Sequence, residues 1–99
     1  MNEQLMERAY ALARQHYTAA TRAVFSGLDS EFSGAGFDTV HNAAERGMEL
    51  YLSAVGLARK VWARQFPFEK AQEVLRKQFS DFPHGTCERA FDDAYRGTR

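Results

Sequence analysis

The stretch DTVHNAAERGMELYLSAVGLARKVWARQ, from Asp38 to Gln65, is the longest segment of the chain with uninterrupted apolar periodicity. Its first apolar face repeats in alternating steps of three and four residues, which places it along one side of an α-helix. That face consists of Val40, Ala43, Gly47, Leu50, Ala54, Leu57 and Val61. A second stripe consists of Ala44, Met48, Tyr51, Leu52, Val55 and Trp62. We therefore predict a central helix with two apolar faces, the first of which forms the seam of the core.

The segments around this stretch predict an all-α protein, a small four-helix bundle-like domain. Its helices cover about 2–26, 38–65, 67–80 and 86–96. Pro67 suits the first turn of the third helix because proline lacks the donor that a helix interior requires. The three glycines between Gly27 and Phe37 predict one long loop, whose Phe37 we expect to tuck over a helix end. The first two helices are then long antiparallel neighbours, and Thr86 caps the last helix.

Composition places the chain among small single-domain proteins. Its 99 residues are 44% apolar and contain no Ile, which favours one helical domain over residues 1–99. Because 13 Lys and Arg balance 13 Asp and Glu, the net charge is zero and no overall field attracts nucleic acid or an anionic membrane. The lone Cys87 and an amino-terminus without the basic-then-apolar order of a secretory signal predict a cytoplasmic protein. Charged residues interrupt every apolar window, so we predict no membrane-spanning segment.

Charge is distributed unevenly along this neutral chain. Between positions 59 and 77 lie six basic residues, Arg59, Lys60, Arg64, Lys70, Arg76 and Lys77, and only two acidic ones. Trp62, Phe66 and Phe68 are interleaved with them, a pattern that suits either a solvated basic face with buried rings or stacking and phosphate contacts with nucleic acid. Residues 1–58 carry four basic and seven acidic residues, so a complementary protein surface is an equally good interpretation.

The remaining chemistry-bearing residues each favour a structural role. His41, Glu45 and Glu49 are spaced for one helical edge, and we interpret them as ion-pairing surface residues rather than ligands of a metal. His16 has no Ser, Cys or carboxylate at a spacing that would activate it. Cys87, close to a helix start, has either some thiolate character or, in our preferred interpretation, the role of a small core residue. We predict no catalytic residue, metal or cofactor.

The sequence therefore predicts a non-enzymatic protein–protein interaction module, an adaptor, inhibitor or regulator of the kind that phages and mobile elements encode. The central helix carries more apolar surface than two short helices would cover. We predict that the partner, another protein or a second copy in a homodimer, binds at Met48, Leu52, Val55, Arg59 and Trp62. The alternative is a nucleic-acid-associated protein that uses the basic residues between positions 59 and 77.

Overall fold

The computed structural model describes residues 3–15 and 21–97, and in that part of the chain the secondary structure is helical without any strand. Its elements are α1 (Glu3–Gln15), α2 (Thr21–Glu31), a 3-10 turn (Ser33–Ala35), α3 (Phe37–Trp62), α4 (Phe68–Gln78) and α5 (His84–Gly97). The predicted all-α, bundle-like fold is confirmed. The chain divides into two compact units, unit 1 (Met1–Glu49) and unit 2 (Leu50–Arg99), and α3 contributes one half to each. A single domain over 1–99 stays a prediction.

The first two helices of unit 1 form an antiparallel hairpin. The guanidinium of Arg8 in α1 lies 3.0 Å from the carboxylate of Glu31 at the end of α2. In one continuous helix these residues, 23 positions apart, would be separated by about 34 Å at the usual rise per residue. The predicted single helix over 2–26 is therefore wrong, and α2 is a separate element that packs back onto α1.

Gly27 belongs to the interior of α2 rather than to a loop. A Cβ atom at this position would lie 3.0 Å from the Cδ1 atom of Leu12, so the missing side chain lets α1 and α2 approach closely. The predicted loop from Gly27 to Phe37 is consequently too long. Helix α2 continues to Glu31, and the 3-10 turn occupies most of the remaining connection.

The first half of α3 completes unit 1 through a close helix contact. A Cβ atom at Gly47 would lie 2.6 Å from the backbone carbonyl oxygen of Ala9 in α1, a distance that no side chain tolerates. The core of this unit contains Leu5, Met6, Ala9, Tyr10, Leu12, Ala13, Val24, Leu28, Val40, Ala43 and Ala44. Small residues on both helices thus set the contact between α1 and α3.

Unit 2 contains a second antiparallel hairpin, formed by α4 and α5. The pairing is fixed at one end by Arg76 and Glu88, 3.7 Å apart, and at the other by the ring contact of Phe68 with Tyr95. Leu50, Ala54, Ala58, Ala71, Leu75, Phe79, Phe82, Cys87, Ala90, Phe91 and Ala94 are its buried apolar residues. Helix α5 begins at His84, two residues before the predicted cap. Thr86 is instead buried in the first turn, where its backbone N–H donates to the carbonyl of Pro83.

Helix α3 ends at Trp62, three residues before the predicted end at Gln65. Arg64 follows with φ 60°, the left-handed conformation, and its N–H donates to the carbonyl of Val61. The N–H of Gln65 donates to the carbonyl of Lys60 at 2.9 Å. This pair of bonds is a Schellman motif, which closes a helix before any proline is reached.

The predicted core seam of α3 is confirmed over most of its length. Residues from Val40 to Ala54 on that face are buried, whereas Leu57 and Val61 are only partly buried and Ala58 takes over in the core. A strict alternation of three and four averages 3.5 residues per turn, while a straight helix has about 3.6. The buried stripe therefore drifts off the predicted face by the last turns of the helix.

Candidate functional site

The second half of α3 exposes large apolar side chains where partner binding was predicted. Leu52 is 59% exposed and Trp62 is 40% exposed. Arg59 is exposed and Val55 is partly buried. These four residues lie in unit 2 and are called here the α3 edge. Met48, the fifth predicted residue, is partly buried in the unit 1 half of the helix.

The helical repeat explains why Leu52 faces outward. Each residue turns the helix by about 100°, so Leu52 lies about 200° around the axis from Ala54. Ala54 is buried, with 1% of its surface exposed. Leu52 therefore occupies the side of α3 that its own unit leaves uncovered.

Trp62 is held in place by Tyr95 of α5. The two rings are stacked, with centroids 4.5 Å apart and planes 13° apart. The indole N–H of Trp62 also donates a hydrogen bond of 2.7 Å to the backbone carbonyl of Tyr95. One face of the indole ring is thus covered and fixed, and the exposed remainder is a rigid apolar surface.

Phe68 extends this aromatic surface at the start of α4. Its ring makes edge contacts with Phe91 at 5.1 Å and with Tyr95 at 4.9 Å, both near perpendicular. Phe91 is fully buried, whereas Phe68 is 38% exposed. The rings of Trp62, Phe68, Phe91 and Tyr95 therefore form one cluster that extends from the core of unit 2 to its surface.

The six predicted basic residues are not equivalent. Lys77 forms an ion pair of 2.9 Å with Glu73, and this contact lowers the pKa of the Glu73 carboxyl, chiefly through the hydrogen bond and then through the charge of Lys77. Arg76 pairs with Glu88. The other four, called here the cationic surface, are exposed and form no ion pair with any residue that the structure describes. They are Arg59, Lys60, Arg64 and Lys70.

Unit 1 carries an exposed aromatic surface of its own, which the sequence did not predict. Phe37 is 65% exposed rather than tucked over a helix end. It stacks on His41 at 5.7 Å and makes an edge contact with Phe25 at 5.1 Å. The exposed carboxylates of Asp29 and Asp38 form no ion pair within the described residues. We call Asp29, Phe37 and Asp38 the acidic surface.

The predicted ion-pairing edge of α3 is present in unit 1. His41 Nε2 lies 3.0 Å from a Glu45 carboxylate oxygen, and Arg46 lies 2.7 Å from Glu49. Among the residues that the structure describes, no three His, Cys, Asp or Glu side chains are grouped as ligands for a metal ion. His16 lies outside the described residues.

Cys87 is a buried core residue, as predicted. Its thiol donates a hydrogen bond of 3.5 Å to the carbonyl of Phe79. Burial, assisted by the nearby charge of Asp81, raises the pKa of the thiol to about 11. At neutral pH the group is therefore protonated and covered, which opposes nucleophilic chemistry.

Comparisons of the chain with models of protein families, with curated proteins and with solved structures gave no match in any of the three. No helix of the described chain has both the length and the apolar character needed to cross a membrane.

Proposed function

We propose that this chain is a non-enzymatic protein-binding module, an adaptor, inhibitor or regulator, that binds its partner through the α3 edge. The observation that carries the proposal is the exposure of two large apolar side chains on that edge, 59% for Leu52 and 40% for Trp62. Arg59 lies between them and forms no ion pair in the described chain. An apolar centre beside unpaired cations suits a protein partner that presents an apolar group with an acidic rim.

The energetics of the α3 edge support this function. Full burial of a leucine side chain is worth roughly 1.5–3 kcal/mol, and Leu52 retains most of its exposed area for a partner. Trp62 is already immobilised by its hydrogen bond to Tyr95, so binding does not have to order this side chain. Tryptophan and arginine are also the residues most enriched among those that dominate interface energetics.

Capture of partners by the immobilised chain tests the proposal when it is combined with substitutions. We expect Leu52→Glu to abolish capture of a specific partner from a lysate of the native host, because it places a charge in the apolar centre. Its folding is expected to be unaffected, since Leu52 is exposed. Ser80→Glu, which adds the same charge at an exposed position in the α4–α5 connection, is the matched control. Equal capture by wild type and by Leu52→Glu would contradict the proposal.

Nucleic-acid binding is the second candidate, favoured by the four unpaired cations of the cationic surface beside the exposed rings of Trp62 and Phe68. Phosphate contacts release counterions, so the affinity for a single-stranded oligonucleotide should fall steeply as salt is raised. Lys70→Glu should weaken this binding more than Arg89→Glu, an equal charge change on α5. Absence of binding at low salt would eliminate this candidate.

A further inference from the structure

We propose that the partner of the cationic surface and the adjoining α3 edge is a second copy of this chain, which presents the acidic surface of its unit 1. This inference rests on the proposed protein-binding function and names the occupant of that site. Its first support is the charge of the two units. Unit 1 contains four Lys and Arg against seven Asp and Glu, whereas unit 2 contains nine against six. A chain with no net charge therefore carries two units of opposite sign.

Two of the cationic residues lie at positions that carry a local cost, although Lys70 also interacts with the Glu73 carboxylate and lowers its pKa. Arg64 adopts the left-handed conformation, which disfavours side chains other than glycine and asparagine. Lys70 lies in the first turn of α4, where the positive end of the helix dipole repels a cation. For Arg64 the cost is the backbone conformation and for Lys70 it is the charge, and residues kept at such a cost suggest a role in binding. Along the chain, Arg64 follows the exposed Trp62 by two residues and Lys70 follows the exposed Phe68 by two residues.

In unit 1, Asp29 is likewise a charged residue at a position that carries a local cost. It lies in the last turn of α2, where the negative end of the helix dipole disfavours an anion, and α2 has no basic residue of its own in that turn. The Arg8 guanidinium at this end pairs with Glu31 instead. Asp29 follows Phe25 by one helical turn, so its carboxylate lies on the face of α2 that carries this ring. Phe25 contacts Phe37, which links Asp29 to the most exposed aromatic side chain of the described chain.

The two surfaces match in chemistry as well as in sign. Each combines exposed aromatic side chains with charges that form no ion pair among the described residues, a composition that suits the apolar centre and polar rim of an interface. Contact between two cationic surfaces, or between two acidic ones, would place like charges together and is disfavoured. The favoured contact is therefore between unit 2 of one copy and unit 1 of the other.

Sedimentation equilibrium of the full chain at two ionic strengths tests the inference. We expect wild type to show an average mass above the 11.3 kDa of one chain at low salt. Raising the salt to about 0.5 M should shift the mass towards the monomer, because screening weakens exposed charge contacts. Arg64→Glu with Lys70→Glu should weaken association at least about ten-fold. The control, Lys77→Glu with Arg89→Glu, has the same net charge but leaves the cationic surface intact and should associate as wild type does.

A mixing experiment identifies the surface on the second copy. Asp29→Lys with Asp38→Lys should also yield monomers. Mixed in equal amounts with the Arg64→Glu, Lys70→Glu chain, it should form a heterodimer, because each variant retains the surface that the other has lost. Thermal unfolding of each variant alone checks that the monomers are folded.

A wild-type chain that remains monomeric at low salt and high concentration overturns the inference. The inference also fails if association is unchanged both in Arg64→Glu with Lys70→Glu and in Asp29→Lys with Asp38→Lys. Either result leaves the proposed function standing if Leu52→Glu still abolishes capture of another protein. Association that Arg64→Glu with Lys70→Glu weakens, and that mixing restores, supports the inference.

Discussion

The two halves of α3 use glycine in opposite ways. In unit 1, Gly47 is buried and its backbone lies so close to Ala9 that an added Cβ would be 2.6 Å from a carbonyl oxygen. In unit 2, Gly56 is exposed and an added Cβ would meet nothing within 4 Å. The same residue in the same helix thus allows a close packing contact in one half and leaves a bare surface in the other. The first half of α3 therefore packs closely at its glycine, whereas the second half leaves its glycine exposed.

Charge distinguishes the two halves as well. Asp38 lies in the first turn of α3, while Arg59 and Lys60 lie in the last turn, as the helix dipole favours. Part of the charge difference between the units therefore follows from the physics of one long helix. Arg64 lies directly after the last turn of α3, where the negative end of the dipole also favours a cation, whereas Asp29 lies in α2 and gains nothing from the dipole of α3.

The largest expected effect is the steric one. We expect Gly47→Ala to destabilise the chain by about 3 kcal/mol, because the new methyl group meets backbone that cannot move aside without separating α1 from α3. Urea unfolding followed by far-UV circular dichroism measures the free energy of unfolding.

Gly56→Ala is the matched control in the other half of the helix. Alanine is favoured over glycine in a helix interior, so this variant should be more stable by roughly 0.5–1 kcal/mol. Equal effects of the two substitutions would show that the halves of α3 do not differ in packing as the contacts with Ala9 indicate.

Alkaline pH is expected to have a smaller effect on stability than Gly47→Ala. This effect arises in unit 2, which contains the single cysteine of the sequence. Because burial raises the pKa of Cys87 from 9.0 to about 11, the folded chain keeps a proton that the unfolded chain loses between these values. The contribution of this thiol to stability is therefore intact below pH 9 and declines as the pH rises to 11. The loss should reach on the order of 1–2 kcal/mol.

The difference between wild type and Cys87→Ala isolates this contribution, since lysines and tyrosines titrate in both proteins. We expect urea unfolding at pH 8 and at pH 10.5 to show a steeper decline for wild type. Parallel declines would mean that the thiol does not lose its proton on unfolding in this range.

Periodicity was sufficient to predict the fold class but not the hairpin of unit 1. Spacing identifies helical segments and, along α3, the buried face from Val40 to Ala54. A glycine, however, has the same local signal whether it ends a helix or allows a neighbour to approach. Gly27 does the latter, because Leu12 occupies the space that its side chain would fill. Only the tertiary contact distinguishes these two roles.

The candidate site was predictable to a similar degree. Leu52 and Trp62 lie off the core seam, which was enough to predict that a partner binds there, although that function stays a proposal. The sequence did not distinguish Arg76 and Lys77, which form ion pairs, from the four basic residues that form none in the described chain. This distinction depends on where the structure places Glu88 and Glu73. The exposure of Phe37 depends on which neighbours cover the start of α3, and the spacing of residues in the sequence contains no such information.

The smallest expected effect concerns Arg64, where strain and charge can be separated. Arg64→Gly should stabilise the chain by about 0.5–1 kcal/mol, because glycine adopts the left-handed conformation without steric conflict. Arg64→Ala retains the conflict, removes the same charge and should bring no such gain. If the arginine is present for its charge, both variants should weaken self-association equally while differing in the free energy of unfolding. Weaker association in Arg64→Ala alone would instead mean that the shape of the α3–α4 turn, and not its charge, governs the contact.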